Sequence, residues 1–361
     1  MAVIVSFGEV LARISTEGFY TMRQALPGRV TLSFAGAEAN VAASISLLGG
    51  EARYITAMPD NDISEACLGN LRNLGVDESY ILKKSNGRLG IYFAETGADQ
   101  RPGKVIYDRE GSVFSQTEGC EYDWDSIFQG TSLLHVSGIT PAVSKTAAQA
   151  QLMCMKKAKE HGVKVSFDCN FRSKLWSWEP GTPKEKLASR VISEMMPYVD
   201  ILFAAKIDAE TLFGCQLCCP DGSTKIDEQP YVAEEIHRIY PNVSMLLTTM
   251  RQSISATYNK WGAALYDITN GMQYVSPCVD GKYVPYDITS IVDRIGAGDS
   301  FAAAVLFALE DEELGKDMQT VIDFATASSC LCHSIMQDVN FVKRSDVIAL
   351  MKSGGHGTVQ R

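Results

Sequence analysis

An α/β fold built on a mainly parallel central sheet, with a small antiparallel sheet projecting from it, is what three features of the sequence predict. Short apolar runs of strand character alternate with longer stretches of 3.6-residue periodicity along most of the chain, the rhythm of βαβ units. Two stretches, 11–34 and 87–115, break that rhythm: polar and apolar residues alternate there between glycine-rich turns, and both read as strands of the projecting sheet. No repeat, low-complexity tract or long linker divides the 361 residues, so one domain over 1–361 is expected.

The elements follow in order. Residues 3–7 (Val-Ile-Val-Ser-Phe) are a compact β-branched run and read as the first strand. A helix is expected over 39–48, closed by Gly49 and Gly50, and another over 63–74, closed by Gly75, since glycine is favoured just past a helix end. Residues 54–58 lie between them as a strand. The alternation in 89–95 and 105–107 places further strands in the projecting sheet. Strands at 133–136, 163–168, 201–204 and 245–249 then alternate with helices at 144–159 and 184–196. Residues 255–275, with Gly262, Asn270 and Gly271 at turn positions, read as an edge hairpin region. Helices at 299–309, 318–332 and 344–351 complete the pattern, and the Gly-rich, polar segment 353–361 is expected to fray.

Charge and composition remove several function classes. Lys plus Arg total 33 against 43 Asp plus Glu, a formal net charge of -10 that repels phosphodiester backbones and anionic lipid, so neither nucleic acid nor membrane is an expected partner. Nothing approaches the ~20 consecutive apolar residues of a spanning helix. The opening Met-Ala-Val-Ile-Val-Ser-Phe is too short, and lacks the basic start, for a secretory signal, which makes a cytoplasmic location the expectation. The ten cysteines are scattered; Cys154 and Cys169 sit in apolar runs as buried thiols, and Cys215, Cys218 and Cys219 have no second pair at zinc-ribbon spacing.

The segment richest in chemistry is Asp293-Arg294-Ile295-Gly296-Ala297-Gly298-Asp299, which leads straight into an apolar helix. A Gly-Ala-Gly turn opening a helix aims several backbone N–H groups, and the positive end of the helix dipole, at one spot suited to a transferring phosphoryl group. Asp299 in the first turn faces the same region and can accept a proton from an attacking hydroxyl. The dipole is expected to lower its pKa, which a loose phosphoryl-transfer transition state tolerates because the proton leaves late. The alternative is an ordinary N-terminal Asp beside a glycine turn that serves packing. There is no Walker-type G-x-x-x-x-G-K-[ST] run, no G-x-G-x-x-G after the first strand and no H-R-D loop, which disfavours P-loop enzymes and dinucleotide dehydrogenases.

Several motifs, in order along the chain, carry a family resemblance. They are Gly8-Glu9; Ala35-Gly36-Ala37-Glu38-Ala39-Asn40; Gly90-Ile91-Tyr92; Ile106-Tyr107-Asp108-Arg109; Leu134 to Pro141; Phe167-Asp168-Cys169-Asn170-Phe171-Arg172; and the Gly-Ala-Gly-Asp turn. The chain resembles the ribokinase-like (phosphofructokinase-B) carbohydrate kinases, and among them the 2-keto-3-deoxygluconate kinases. That resemblance implies a three-layer α/β/α fold in which 11–34 and 87–115 form a β-sheet lid. It implies Asp299 as catalytic base and the backbone of Ile295, Gly296, Ala297 and Gly298 as an anion hole. It places Gly36 and Asn40 at sugar hydroxyls, Tyr92, Tyr107 and Arg109 in the lid over the substrate, and Asn170, Arg172 and Asp338 around the same site. Thr249, Arg251 and Asn340 fall where the family meets ATP, with magnesium (Mg2+) held mostly by phosphate oxygens and water. His333 is similarly placed and reads as a pocket-wall histidine.

Alternatives stand beside several of these roles. Arg109 and Arg172 suit a substrate carboxylate, which a planar guanidinium grips with two hydrogen bonds, but each is also compatible with nucleotide phosphates or a surface ion pair. Asn40 also fits as a helix cap, and the tyrosines as lid packing. The chain departs from the family where an N-x-x-E motif is usual: it has Ala205-Lys206-Ile207-Asp208, which leaves Asp208 as a carboxylate acting on magnesium through water and Lys206 as a charge against phosphate, or else a plain loop. Arg294, Ala304 and Ala35 also differ from the common pattern. The expected activity is ATP-dependent phosphorylation of a primary hydroxyl of a sugar acid, 2-keto-3-deoxygluconate at its 6-position. The rivals are a kinase for fructose or a related neutral sugar, and a weakly active binding or regulatory protein on the same scaffold. A homo-oligomer, as a dimer through the lid sheets, is expected because exposed sheet edges seek cover.

Overall fold

The computed structural model describes residues 3–353, so the expectation of a frayed end falls, from residue 354 on, outside the described residues. Alternation along the strands determines the layering. Ile4, Leu133, Phe203, Leu247 and Leu265 point into one core, while their neighbours Val5, Leu134, Leu202, Leu246 and Tyr266 point into a second core on the other face. A sheet buried on both faces must be covered by helices on both, and it is. Helices Ala37–Leu48, Asp62–Asn73, Ala297–Glu310, Met318–Cys332 and Arg344–Ser353 lie over the first core; Lys145–Glu160, Lys184–Met195, Lys206–Leu212 and Lys225–Ile239 lie over the second. The result is the expected three-layer α/β/α arrangement.

The central sheet has eight strands. Ala52–Ile55, Val3–Phe7, Thr131–Ser137, Lys164–Asp168, Ile201–Phe203 and Met245–Thr249 run parallel in that spatial order. Ala263–Asp267 and Met272–Ser276 extend the edge as an antiparallel hairpin, as the turn residues of 255–275 indicated. From Val3–Phe7 the chain builds outward first to one side, with Ala52–Ile55, and later to the other, with Thr131–Ser137. The connections diverge above the neighbouring strands Val3–Phe7 and Thr131–Ser137, and a crevice opens at the carboxyl ends of these and the following parallel strands, where open α/β sheets hold ligands.

Leu11–Ser15, Thr31–Ala35, Gly90–Glu95 and Lys104–Asp108 form a separate four-stranded sheet over that crevice. The expectation of an antiparallel sheet needs correcting: Leu11–Ser15 and Gly90–Glu95 pair in parallel, and only the other two pairings are antiparallel. The chain enters the body between these two strands and returns in the same direction, as a parallel pair requires. Arg13, Tyr92 and Tyr107 stand in one row of this sheet and face the crevice. On the opposite face Leu32, Ile14, Phe93 and Ile106 form an in-register apolar row, with Leu32 and Ile106 about half exposed.

Two features were not foreseen. Helix Lys225–Ile239 contains Pro230, which reads as a breaker, yet the Thr224 hydroxyl and the Asp227 carboxylate cap its first turn reciprocally. Gln252–Ser255, Tyr258–Trp261 and Tyr286–Ile288 form a small sheet beside the glycine turn. The packing of the two longest carboxyl-terminal helices is a place to test the core. Phe324 and Phe307 are fully buried with ring centroids 5.8 Å apart. Phe324→Ala should lower stability by about 3–5 kcal/mol, read by chemical denaturation, with turnover unchanged below the unfolding transition.

Candidate active site

The crevice is a cavity of about 630 Å³ under the lid, at the carboxyl ends of the parallel strands. Its floor is the glycine turn. The Asp293 carboxylate accepts the amide N–H groups of Arg294 at 2.8 Å and Ile295 at 3.1 Å, which curls the chain. Gly296 then adopts φ +87°, and a side chain there would meet the carbonyl oxygen of Asp338 at 2.0 Å, so both conformation and space require glycine. Helix Ala297–Glu310 starts with no side-chain cap, and its first backbone bond runs from the Ser300 N–H to the Gly296 carbonyl at 2.8 Å. The amides of Ala297, Gly298 and Asp299 precede that bond, and Gly298 opens onto free space. An uncapped helix start lining a cavity is a seat for an anion.

Asp299 lies at the same spot, and the Asn40 side-chain N–H2 donates to its Oδ2 at 2.7 Å. Burial and the nearby Asp338 charge push its carboxyl up to about 6, against the lowering effects of Asn40 and Arg172. The expectation that the helix dipole would depress this pKa is therefore overturned, because removal from water outweighs the dipole. Asn40 is not a cap: it sits inside helix Ala37–Leu48, accepts the Gly36 N–H at 3.3 Å and aims its amide at Asp299. Gly36 has extended backbone, and a side chain there would strike the Glu9 carbonyl at 2.2 Å, so it permits close packing of the chain on itself.

The lid residues expected at the substrate do line the cavity, but several are already engaged. The Tyr92 hydroxyl donates to Asp338 at 2.6 Å, and its ring lies 6.4 Å from that of Tyr107. Asp338 also pairs with Arg13, so each of its oxygens already accepts one hydrogen bond, although the residue lines the cavity as expected. Arg109, expected as a carboxylate receptor, is 4% exposed and paired with Glu9, whose Oε2 receives Nη2 at 2.5 Å and Nε at 2.7 Å. Its charge is therefore neutralised within the protein. One guanidinium nitrogen of Arg109 and one oxygen of Glu9 remain buried with no partner among the described residues, a donor and an acceptor beside the cavity.

Arg172 is different. It lines the cavity, is exposed, and its guanidinium makes no hydrogen bond or ion pair with the described residues, while its charge is felt by Asp168 and Asp299. Asn170 precedes it in a left-handed conformation, φ +34°, uncommon for a residue with a side chain, with its N–H held by the Asp168 carboxylate at 3.0 Å. Burial and the neighbouring Asp299 push Asp168 up to about 7.

At the other end the cavity is cationic. Arg251 and Lys225 reach it from the end of Met245–Thr249 and the start of Lys225–Ile239, with Thr249 on the wall between. Arg294 joins them, held by the Asn259 side-chain oxygen at 2.7 Å; burial and the Arg251 charge lower its pKa. Asp208 lines the wall but also caps its own helix, accepting the Ala205 N–H at 2.8 Å. His333 is buried edge-on against Trp261, its Nδ1 is 2.8 Å from the Ser329 carbonyl, and burial pushes it down to about 4, so it is a neutral wall residue. Two expectations fail. Asn340 does not line the cavity: its amide donates to the Ser300 hydroxyl and the Ser328 carbonyl, bracing two helices. Lys206 is paired with Glu228 at 2.8 Å and lines a separate, smaller cavity.

Sequence reading missed Glu9, Arg13, Glu38, Asp168 and Lys225. Glu9 and Asp168 stand inside motifs that were singled out and end parallel strands or follow them, the usual ligand position. Glu38 is buried beneath the cavity, accepts the Ser137 and Thr140 hydroxyls and is pushed up to about 7 by burial. Arg13 carries only the lid alternation as a signal, and Lys225 none.

Among the described residues no three His, Cys, Asp or Glu side chains gather into a metal cage. Asp168 and Asp208 both line the wall, near enough that the Asp208 charge raises the Asp168 carboxyl, and carboxylate oxygens of this kind fit magnesium that arrives on nucleotide phosphates and is met through water.

Several known proteins are similar to this chain in sequence and fold. A 2-dehydro-3-deoxygalactonokinase from Haloferax volcanii is 29% identical over 359 residues, covering 99% of this chain and 98% of its own. A fructokinase-2 from Solanum lycopersicum is 26% identical over 334 residues, covering 92% and 89%. The crystal structure of 2-dehydro-3-deoxygluconokinase from Thermotoga maritima superposes with a TM-score of 0.86 at 36% identity and 98% coverage of each chain. Residues 1–250 and 261–338 match the pfkB family carbohydrate kinase, and the chain, with its uncapped helix, buried acid and lid, belongs to that family of sugar kinases.

Proposed function

We propose that this kinase transfers the γ-phosphate of ATP to a primary hydroxyl of a sugar acid, 2-keto-3-deoxygluconate at its 6-position, with Asp299 as general base. The observation that carries this reading is the juxtaposition of an uncapped helix start, a carboxylate held by Asn40, and an uncommitted Arg172 in one cavity. Lys225, Arg251 and Arg294 supply charge for the polyphosphate. The amides of Ala297, Gly298 and Asp299 receive the transferring phosphoryl group as its charge develops. Magnesium, met through water by Asp168 and Asp208, would offset charge on the phosphate oxygens. Asp299, largely ionised above pH 6, takes the hydroxyl proton late in a loose transition state. Tyr92 and Tyr107 cover the sugar and exclude water.

Arg172 is the residue assigned to the substrate carboxylate, since its guanidinium is unspent. The Glu9–Arg109 pair, neutral overall with a spare donor and acceptor, suits hydroxyl groups instead. That same pair favours a second reading, a kinase for a neutral sugar such as fructose, as in the tomato relative.

Three experiments bear on this. Asp299→Asn should cut kcat by roughly two to four orders of magnitude while nucleotide binding persists; full activity would remove Asp299 as the base. The profile of kcat/KM against pH should fall as pH drops through about 6, where Asp299 protonates. Asn40→Ala, which deletes a hydrogen bond favouring the carboxylate, should move that limb to higher pH, and an unmoved limb would dissociate it from Asp299. Arg172→Ala should reduce kcat/KM for the sugar acid about 10- to 100-fold more than for fructose, the scale of a lost charged hydrogen bond. Equal losses on both would assign Arg172 to phosphate and favour the neutral sugar.

A further inference from the structure

A deeply buried charge cluster links the lid to the glycine turn and borders the cavity through Asp338. Arg13, Asp293 and Asp338 are 2%, 4% and 4% exposed. Arg13 comes from the lid strand Leu11–Ser15; its Nη2 meets Asp293 Oδ2 at 2.6 Å and its Nη1 meets Asp338 Oδ1. Each carboxylate uses its other oxygen elsewhere. Asp293 Oδ1 accepts the two amides that curl the chain into the glycine turn, and Asp338 Oδ2 accepts the Tyr92 hydroxyl. The Asp338 backbone carbonyl presses on Gly296 so closely that no side chain fits between them.

One guanidinium thus grips both sides of the turn at once, and it does so from the lid. Buried ion pairs are a poor route to stability, because desolvation cancels much of the attraction, so geometry is the stronger reason to hold three charges there. The planar fork of arginine can bridge two carboxylates at fixed separation, whereas a lysine ammonium is a point charge on a flexible stem.

We propose that Arg13 is a positioning residue for phosphoryl transfer: by bridging Asp293 and Asp338 it fixes the direction of the amides at the start of helix Ala297–Glu310. The proposal rests on the reading of those amides as the seat of the transferring phosphoryl group. Amides displaced by a fraction of an ångström still bind ATP but no longer match the charge that develops in the transition state, so the loss falls on kcat rather than KM.

The test uses Arg13→Lys and Arg13→Ala in the full chain, with kcat expressed per folded molecule counted by titration with a non-hydrolysable ATP analogue. Arg13→Lys should lower kcat about 100-fold, the scale for misplaced catalytic groups, with KM for ATP and for sugar within about threefold. In Arg13→Ala, millimolar guanidinium ion should restore kcat at least about tenfold by occupying the vacated place between the two carboxylates, and should do nothing for the unmodified protein or for Asp299→Asn. Wild-type kcat in Arg13→Lys, or a fall that appears in KM alone, would overturn the proposal. Failure of guanidinium to restore a folded Arg13→Ala would overturn it as well. Asp299→Asn separates the two levels: if it is fully active the reading of the site fails, and if it is silent while Arg13→Lys is active only the role of Arg13 fails.

Discussion

A helix that begins with free amides in a buried cleft is an unstable arrangement unless something occupies or supports it, and much of this molecule is organised around that constraint. The four N–H groups at a helix start need partners, and several helices here find them in Ser, Thr, Asn or Asp side chains, as Asn61, Ser144, Thr224 and Asp317 illustrate. Ala297–Glu310 alone among the long helices combines a glycine cap in left-handed conformation with a carboxylate in its first turn and an open cavity ahead. Asp293 curls the approach, Gly296 lets Asp338 close in behind, and Asn340 ties Ser300 to the neighbouring helix. Each contact holds the amides open toward the cavity instead of satisfying them.

Electrostatics divides that cavity. Free cations collect at one end, where three basic side chains and the helix start meet, although the whole chain carries a net charge of -10. Under the lid Arg109 is cancelled by Glu9 and Arg13 by Asp293 and Asp338, and apart from Arg172 buried acids dominate. Asp299, Asp168 and Glu38 all hold protons more tightly than in an unfolded chain. Their contribution to stability is therefore fully present below about pH 4, the unfolded carboxyl range, and is lost as pH rises through 6 to 7. Ionising these three buried acids therefore lowers the stability of the folded chain.

How far the sequence disclosed this varies with the kind of signal. Strands 3–7 and 245–249 and helix 318–332 were legible to the residue, because a short apolar run or a 3.6-residue periodicity is a direct record of burial. The lid strands were legible, their parallel pairing was not, since pairing direction depends on where the chain goes between them. Asp299 and the glycine turn stood out because their residue types are rare together. Tertiary pairing was invisible: nothing adjacent to Arg109 says that Glu9, a hundred residues earlier, cancels its charge, and nothing near Asn40 says that it serves Asp299. Lys206 and Asn340 misled for the same reason, each being spent on a partner distant in sequence.

The parallel pair inside the lid has an implication for engineering. Because residues 36 to 89 pass through the main body between strands Leu11–Ser15 and Gly90–Glu95, the lid is not a continuous cassette. It enters and leaves the body at two separate places, and its inner row includes the arginine that reaches under the glycine turn. Transplanting it from one relative to another means exchanging two segments together with Asp293 and Asp338, so this sheet cannot be moved by grafting a single loop.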